Sequence, residues 1–217
     1  GIYGHESEII ILDSEISNNS SSRGGGMRLE SNTSANIYNS TISNNIVSDV
    51  GGGIEYNNYS QGFIENCIIR NNEGNDTGGI AVISNSDINI SNTLIEGNSS
   101  NVNSGAALHF NVGSSGNLEN ITVSNNISPF SAITHDDTSN PLEIKNSIIY
   151  NNYSLQDEIL TSINNHSDEG NLNVDVSFSN IQGGLEGEGN IDLDAHLNDN
   201  FTLESSSPCI DAGDPSS

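Results

Sequence analysis

Basic residues are the scarcest component of this chain. Four Lys and Arg stand against 29 Asp and Glu in 217 residues, a formal net charge of −25. A field of that sign repels nucleic acid and anionic membrane surfaces. It also repels polyuronates unless divalent cations intervene. Tryptophan is absent and aromatics make up 5% of the chain, so the stacking platforms common in sugar and base sites are few. No apolar run reaches the roughly 18 residues of a membrane-spanning helix, and no segment has the features of a signal peptide. Two cysteines, Cys67 and Cys209, are too few for a disulfide framework.

What the chain has instead is repetition. DSEISNN from Asp13 returns as NSTISNN from Asn39, NCIIRNN from Asn66, NTLIEGN from Asn92, NITVSNN from Asn120 and NSIIYNN from Asn146. The starts are 26, 27, 26, 28 and 26 residues apart, a period that signals stacked structural units. Two aliphatic columns flank the phrase. Two places before the leading Asx stand Ile11, Ile37, Ile64, Ile90, Leu118 and Ile144; three places after it stand Ile16, Ile42, Ile69, Ile95, Val123 and Ile149. Their β-branched character and local alternation argue for strands. Each strand is too short to bury a face alone, so its partners are the equivalent strands one repeat away. A second signal follows each copy: GGGM at Gly24, GGGI at Gly51 and GGI at Gly78, with weaker versions from Ser104 and Ser131. Glycine there permits a tight corner and close backbone stacking. Two strand signals and two corners close one coil of a β-solenoid, with coils about 4.8 Å apart. Two asparagine columns, one headed by Asp13 and continuing through Asn39, the other running Asn19, Asn45, Asn72, Asn98, Asn126 and Asn152, are expected at the corners. There Asn adopts the left-handed conformation and stacks in amide ladders.

The I/V-x-x-N phrase followed by GG-[I/M] resembles the FxxN and GGA[I/L/V] repeats of chlamydial polymorphic outer-membrane proteins. More broadly it resembles the right-handed parallel β-helix proteins of the pectin-lyase-like superfamily. The resemblance implies an all-β, right-handed parallel β-helix of about seven coils of about 26 residues. The tail GNIDLDAHLNDNFTLESSSPCIDAGDP from Gly189 resembles the segment that closes many large secreted bacterial β-helix proteins. The coils are expected over 1–183, with 153–173 as an inserted loop, and a capping segment and the start of a linker over 184–217. The chain opens partway into a coil, so a cap or further coils of the same longer chain are expected before Gly1, covering an open strand edge. Cys67 falls in a core column and Cys209 in the tail, farther apart than the roughly 7 Å between Cα atoms that a disulfide spans. Both thiols are expected to be free.

In enzymes of this superfamily the substrate lies across an exposed strand face. Here that face should carry Arg28, Glu55, His109, His135, Asp136 and Asp137, which follow the glycine signals. THDD, from Thr134, is the one place where a base and paired carboxylates come together. Two carboxylates flanking a glycosidic bond serve as acid and base or nucleophile, and Asp136–Asp137 resembles the adjacent Asp pair of polygalacturonases. The Gly-His-Gly and Arg-Ile-Lys motifs of those enzymes are absent. Lyase chemistry needs a base and a cation to stabilise the enolate, and Arg23, Arg28, Arg70 and Lys145 are the only strong cations. A calcium-assisted lyase would use His135 as base. Structural calcium has oxygen ligands to choose from at Asp136/Asp137, Asp168/Glu169, Asp192/Asp194 and Asp211/Asp214, none in a recognised calcium loop. The leading expectation is a non-catalytic domain of a secreted or cell-surface bacterial protein, adhesin-like or a spacer. Its partner would be a glycan or cell-surface component, with binding at His109, His135, Asp136, Glu55 and Arg28. The alternative is a polysaccharide-active lyase or glycosidase with His135, Asp136 and Asp137 as its catalytic set.

Overall fold

The computed structural model describes residues 1–102, 104–111, 113–137, 139–154, 162–164 and 172–216. The chain is a parallel β-solenoid. Among the described residues it builds four parallel sheets, three of seven strands and one of six. One coil shows the pattern: Met27–Glu30 in sheet A, Ser34–Tyr38 in sheet B, Thr41–Ser43 in sheet C and Ile46–Val47 in sheet D. Each strand pairs in parallel with its counterpart one repeat later, as Ile42 does with Ile69 and Ile37 with Ile64. The two strand signals of the sequence therefore correspond to sheets B and C. Sheet A follows the glycines, and sheet D adds two-residue strands that no periodicity reveals.

Both aliphatic columns point inward. Ile37, Ile64, Ile90, Leu118 and Ile144 are buried, as is every member of the second column from Ile16 to Ile149; Ile11 is half-buried against them. Sheet A adds larger side chains across the interior, and in two coils a glycine on sheet B makes room for them. Tyr56 lies opposite Gly62, its hydroxyl donating to the Ala35 carbonyl at 2.9 Å. Phe110 lies opposite Gly116. A Cβ on Gly62 would stand 1.8 Å from the Ala35 carbonyl oxygen, and one on Gly116 would stand 2.9 Å from the Phe110 ring. Glycine on sheet B is thus what admits an aromatic from sheet A.

The corners are asparagine-built. Asp13, Asn39, Asn66, Asn92, Asn120 and Asn146, at the turn from sheet B to sheet C, all have φ between 47° and 55°. Asn and Asp tolerate this left-handed region better than other non-glycine residues. The second column turns its amides inward. From Asn19 to Asn152 each Nδ2 donates to the next Oδ1 at 2.9–3.0 Å. Asn72 uses both donors and both lone pairs: it donates to Ile42 O and Asn98 Oδ1, and accepts from the backbone and side-chain nitrogens of Asn45. Serine and threonine hydroxyls form parallel ladders, such as Thr33 N to Ser60 Oγ and Ser60 N to Ser86 Oγ.

Of the stretch 153–173, Tyr153–Ser154 joins sheet D and Ile163–Asn164 joins sheet A. Residues 155–161 and 165–171, with Asp168 and Glu169, lie outside the described residues. Sheet B ends with Val174–Ser177 and sheet C with Asn180–Ile181. The tail then docks on the stack: Asn180 bridges to Ile191, and Asp214 N donates to Asn146 Oδ1 at 2.7 Å. Both cysteines are free, Cys67 buried and Cys209 half-buried.

Candidate functional site

The strand after each glycine signal carries one outward column. Register aligns Tyr3, Arg28, Glu55, Ala81, His109, Thr134 and Asn164 across sheet A. Arg28, Glu55 and His109 therefore share one face, as their spacing implies. They do not form one site, because Ala81 separates the arginine–glutamate end from the histidine end.

At the first end Glu55 has no solvent exposure. Arg23 Nη2 lies 2.6 Å from its Oε1 and Arg28 Nε 3.7 Å from its Oε2. Burial raises the Glu55 pKa, and the two guanidinium groups oppose that shift. Arg28 also pairs with Glu30, and Arg23 with Asp49. Arg23 was not among the sequence candidates. Its only mark there is its place beside the glycine triplet.

At the second end His109 is 4% exposed. Its Nε2 lies 3.0 Å from Asp136 Oδ2, and its Nδ1 lies 2.9 Å from Ser104 Oγ and 3.6 Å from Asp76 Oδ2. Burial works against the charged ring, but hydrogen bonds and charge from Asp136 and Asp76 win and carry its pKa up to about 9. Ser104, His109 and Asp136 run in the order hydroxyl, imidazole, carboxylate, the order of a nucleophile triad. Two features weigh against that chemistry. A general base must be unprotonated at working pH, and this ring is held as imidazolium. Ser104 is also fully buried, next to Thr77. Sequence reasoning missed Asp76, which lies just before the third glycine signal, and took Ser104 only as the opening of a weaker one.

THDD does not converge. Side chains alternate between faces along a strand, so Thr134 points outward and His135 points into the core. There His135 is 1% exposed and pairs in register with Phe110, the ring centroids 6.1 Å apart. Burial lowers its pKa, against the opposing charge of Asp137. Asp136 turns to His109. Asp137 caps a loop, accepting from Gly113 N, Ser139 N and Asn140 Nδ2 at 2.6–2.8 Å, and these bonds lower its pKa against burial. Placing His135 on the exposed face is thus corrected by strand alternation, and the two carboxylates serve different neighbours.

Among the described residues no three His, Cys, Asp or Glu side chains gather where a metal ion could sit. Asp192 accepts from Gly183 N, Asp194 from His196 N, and Asp214 pairs with Lys145.

A family model described as "right handed beta helix region" matches residues 1–136, more than half of the chain. The chain belongs to the right-handed β-helix family. The match ends just after the fifth full coil, while the β-helix itself continues through Leu142–Lys145 and Val174–Ser177. No curated protein and no solved structure matches the chain significantly.

Proposed function

We propose that this β-helix is a non-catalytic domain of a secreted or cell-surface bacterial protein, serving as a rigid binding surface or spacer. Its partner is a glycan or another cell-surface component. The observation that carries the reading is the divergence of His135, Asp136 and Asp137 into the core, onto His109 and into a loop cap. A glycosidase needs two carboxylates on opposite sides of one bond, and a lyase needs an unprotonated base beside a cation. Arg23 and Arg28 are paired with acids, and His109 is held charged. These side chains stabilise the coil they belong to instead of facing a substrate.

The test is turnover. Neutral and acidic polysaccharides are incubated with the domain from pH 5 to 9, with calcium and with chelator, and new reducing ends and unsaturated uronates are measured. No product above blank is expected. Product formation that His109→Gln or Asp136→Asn abolishes would establish the enzyme reading instead.

A further inference from the structure

Sheet B turns one face to the core and the other to solvent. On the outward face its first three strands, Glu8–Leu12, Ser34–Tyr38 and Gln61–Glu65, carry an apolar cluster. Ile10, Leu12 and Phe63 are each more than half exposed, and Tyr38 is half-buried. Register lays Leu12 beside Tyr38 and Ile10 beside Asn36, whose Oδ1 accepts from Phe63 N at 3.1 Å. Exposed apolar clusters rimmed by polar residues mark interaction surfaces.

The rim here is acidic. Glu8, Glu65, Asp87, Glu119, Glu143 and Asp175 all point out from the same sheet. Lys145, on the same face, is occupied by Asp214 of the tail. Beside Phe63 lies a cleft of about 160 Å³, which Asp87 lines together with Gln61 and Asn89. Asp87 accepts from Ser115 Oγ at 3.1 Å, and among the described residues no Lys or Arg pairs with it. Burial raises its pKa against that hydrogen bond, as expected of a carboxylate short of a counter-charge.

We propose that this face of sheet B docks a basic, amphipathic segment of a partner protein, which seats one Arg or Lys in the cleft with its stem on Phe63 and its head at Asp87. The proposal rests on the binding role argued above and gives it a surface and a partner class. Apolar residues of the segment cover Ile10, Leu12 and Tyr38, and its cations meet the acids. Long basic side chains suit such a cleft because an apolar stem ends in a charged head. A cation over an aromatic ring gains further. The same acids repel nucleic acid, an anionic membrane and a second copy of this chain, whose formal net charge is −25.

The test is calorimetry of the 217-residue chain with three synthetic peptides of equal length: an amphipathic helix of Leu and Lys, its counterpart of Leu and Glu, and oligolysine. The Leu/Lys peptide is expected to bind best, and more weakly as salt rises. Asp87→Asn removes the charge and keeps an acceptor for Ser115, and Phe63→Ala removes the ring. Each should weaken that binding about tenfold, with unchanged circular dichroism. Tyr153→Ala, which removes an exposed aromatic of sheet D, should bind as wild type. The proposal is overturned if oligolysine or the Leu/Glu peptide binds as well as the Leu/Lys peptide, or if both sheet B variants bind normally. Self-association of the chain that Phe63→Ala abolishes would also overturn it, by making a second copy the occupant. Absence of binding sinks the docking surface and leaves the non-catalytic reading to its own turnover assay. Turnover in that assay would sink the reading, while peptide binding that depends on Asp87 and Phe63 would still support the surface.

Discussion

The two asparagines of each NN doublet do different work, and substitution separates them. Asn71 sits at φ 52° and is chosen for its backbone; Asn72 is buried and chosen for its amide. Asn71→Gly is therefore expected to change stability by less than about 0.5 kcal/mol, since glycine adopts that conformation freely. Asn72→Ala leaves groups on Asn45 and the Ile42 carbonyl without partners, at about 1–3 kcal/mol for each buried group. Urea unfolding of the two variants should differ by about 3 kcal/mol or more; equal effects would contradict the ladder. Sequence made the second column visible because it has no exceptions. The Asn71 position was not singled out as a column because Gly97 takes the same turn one coil later. The charged site was half legible for a related reason. Arg28, Glu55 and His109 fell on one face because they share a register, but His135 was misplaced once strand alternation was ignored.

Among elements, the clearest dependence is between sheets A and B. Gly62→Ala would drive a methyl into the Ala35 carbonyl, and backbone cannot yield as a side chain does. Such overpacking typically costs about 1–3 kcal/mol and sometimes more, so a loss of about 3 kcal/mol is expected on chemical denaturation. The tail is held differently. Lys145 holds the Asp214 pKa down to about 2, below the usual aspartate value. A lowered carboxylate stabilises above its unfolded pKa and loses that contribution as pH falls through its folded one, so tail docking should weaken between about pH 4 and 2. Asp214→Asn should mimic this at neutral pH, speeding alkylation of Cys209 while Cys67 stays protected. Equal protection of both thiols in that variant would show that the ion pair does not hold the tail. The sheet B and C strands were readable because a strand with one buried face alternates. Two-residue strands such as Ile46–Val47 carry no period, and sheet A's outer face is itself buried over Gly105–Phe110, which erases the alternation there.

For the whole molecule, buried polar and charged groups hold the solenoid together, and the proposal above assigns them no chemistry. Two histidines make this visible in pH dependence. His109, raised to about 9, contributes stability that is complete below its unfolded value of 6.5 and is lost as pH rises through 9. His135 is lowered, so its contribution is present above 6.5 and falls away as pH drops below it. Stability should therefore peak near neutral pH, and His109→Gln should flatten the alkaline limb in a Tm series. The most direct measurement is a histidine NMR titration of the native domain. The account predicts that His109 stays protonated until about pH 9 while His135 remains neutral below the pH at which an exposed histidine titrates. Two rings titrating together near 6.5 would mean that His109 is free to act as a base and His135 is open to solvent, and would contradict it.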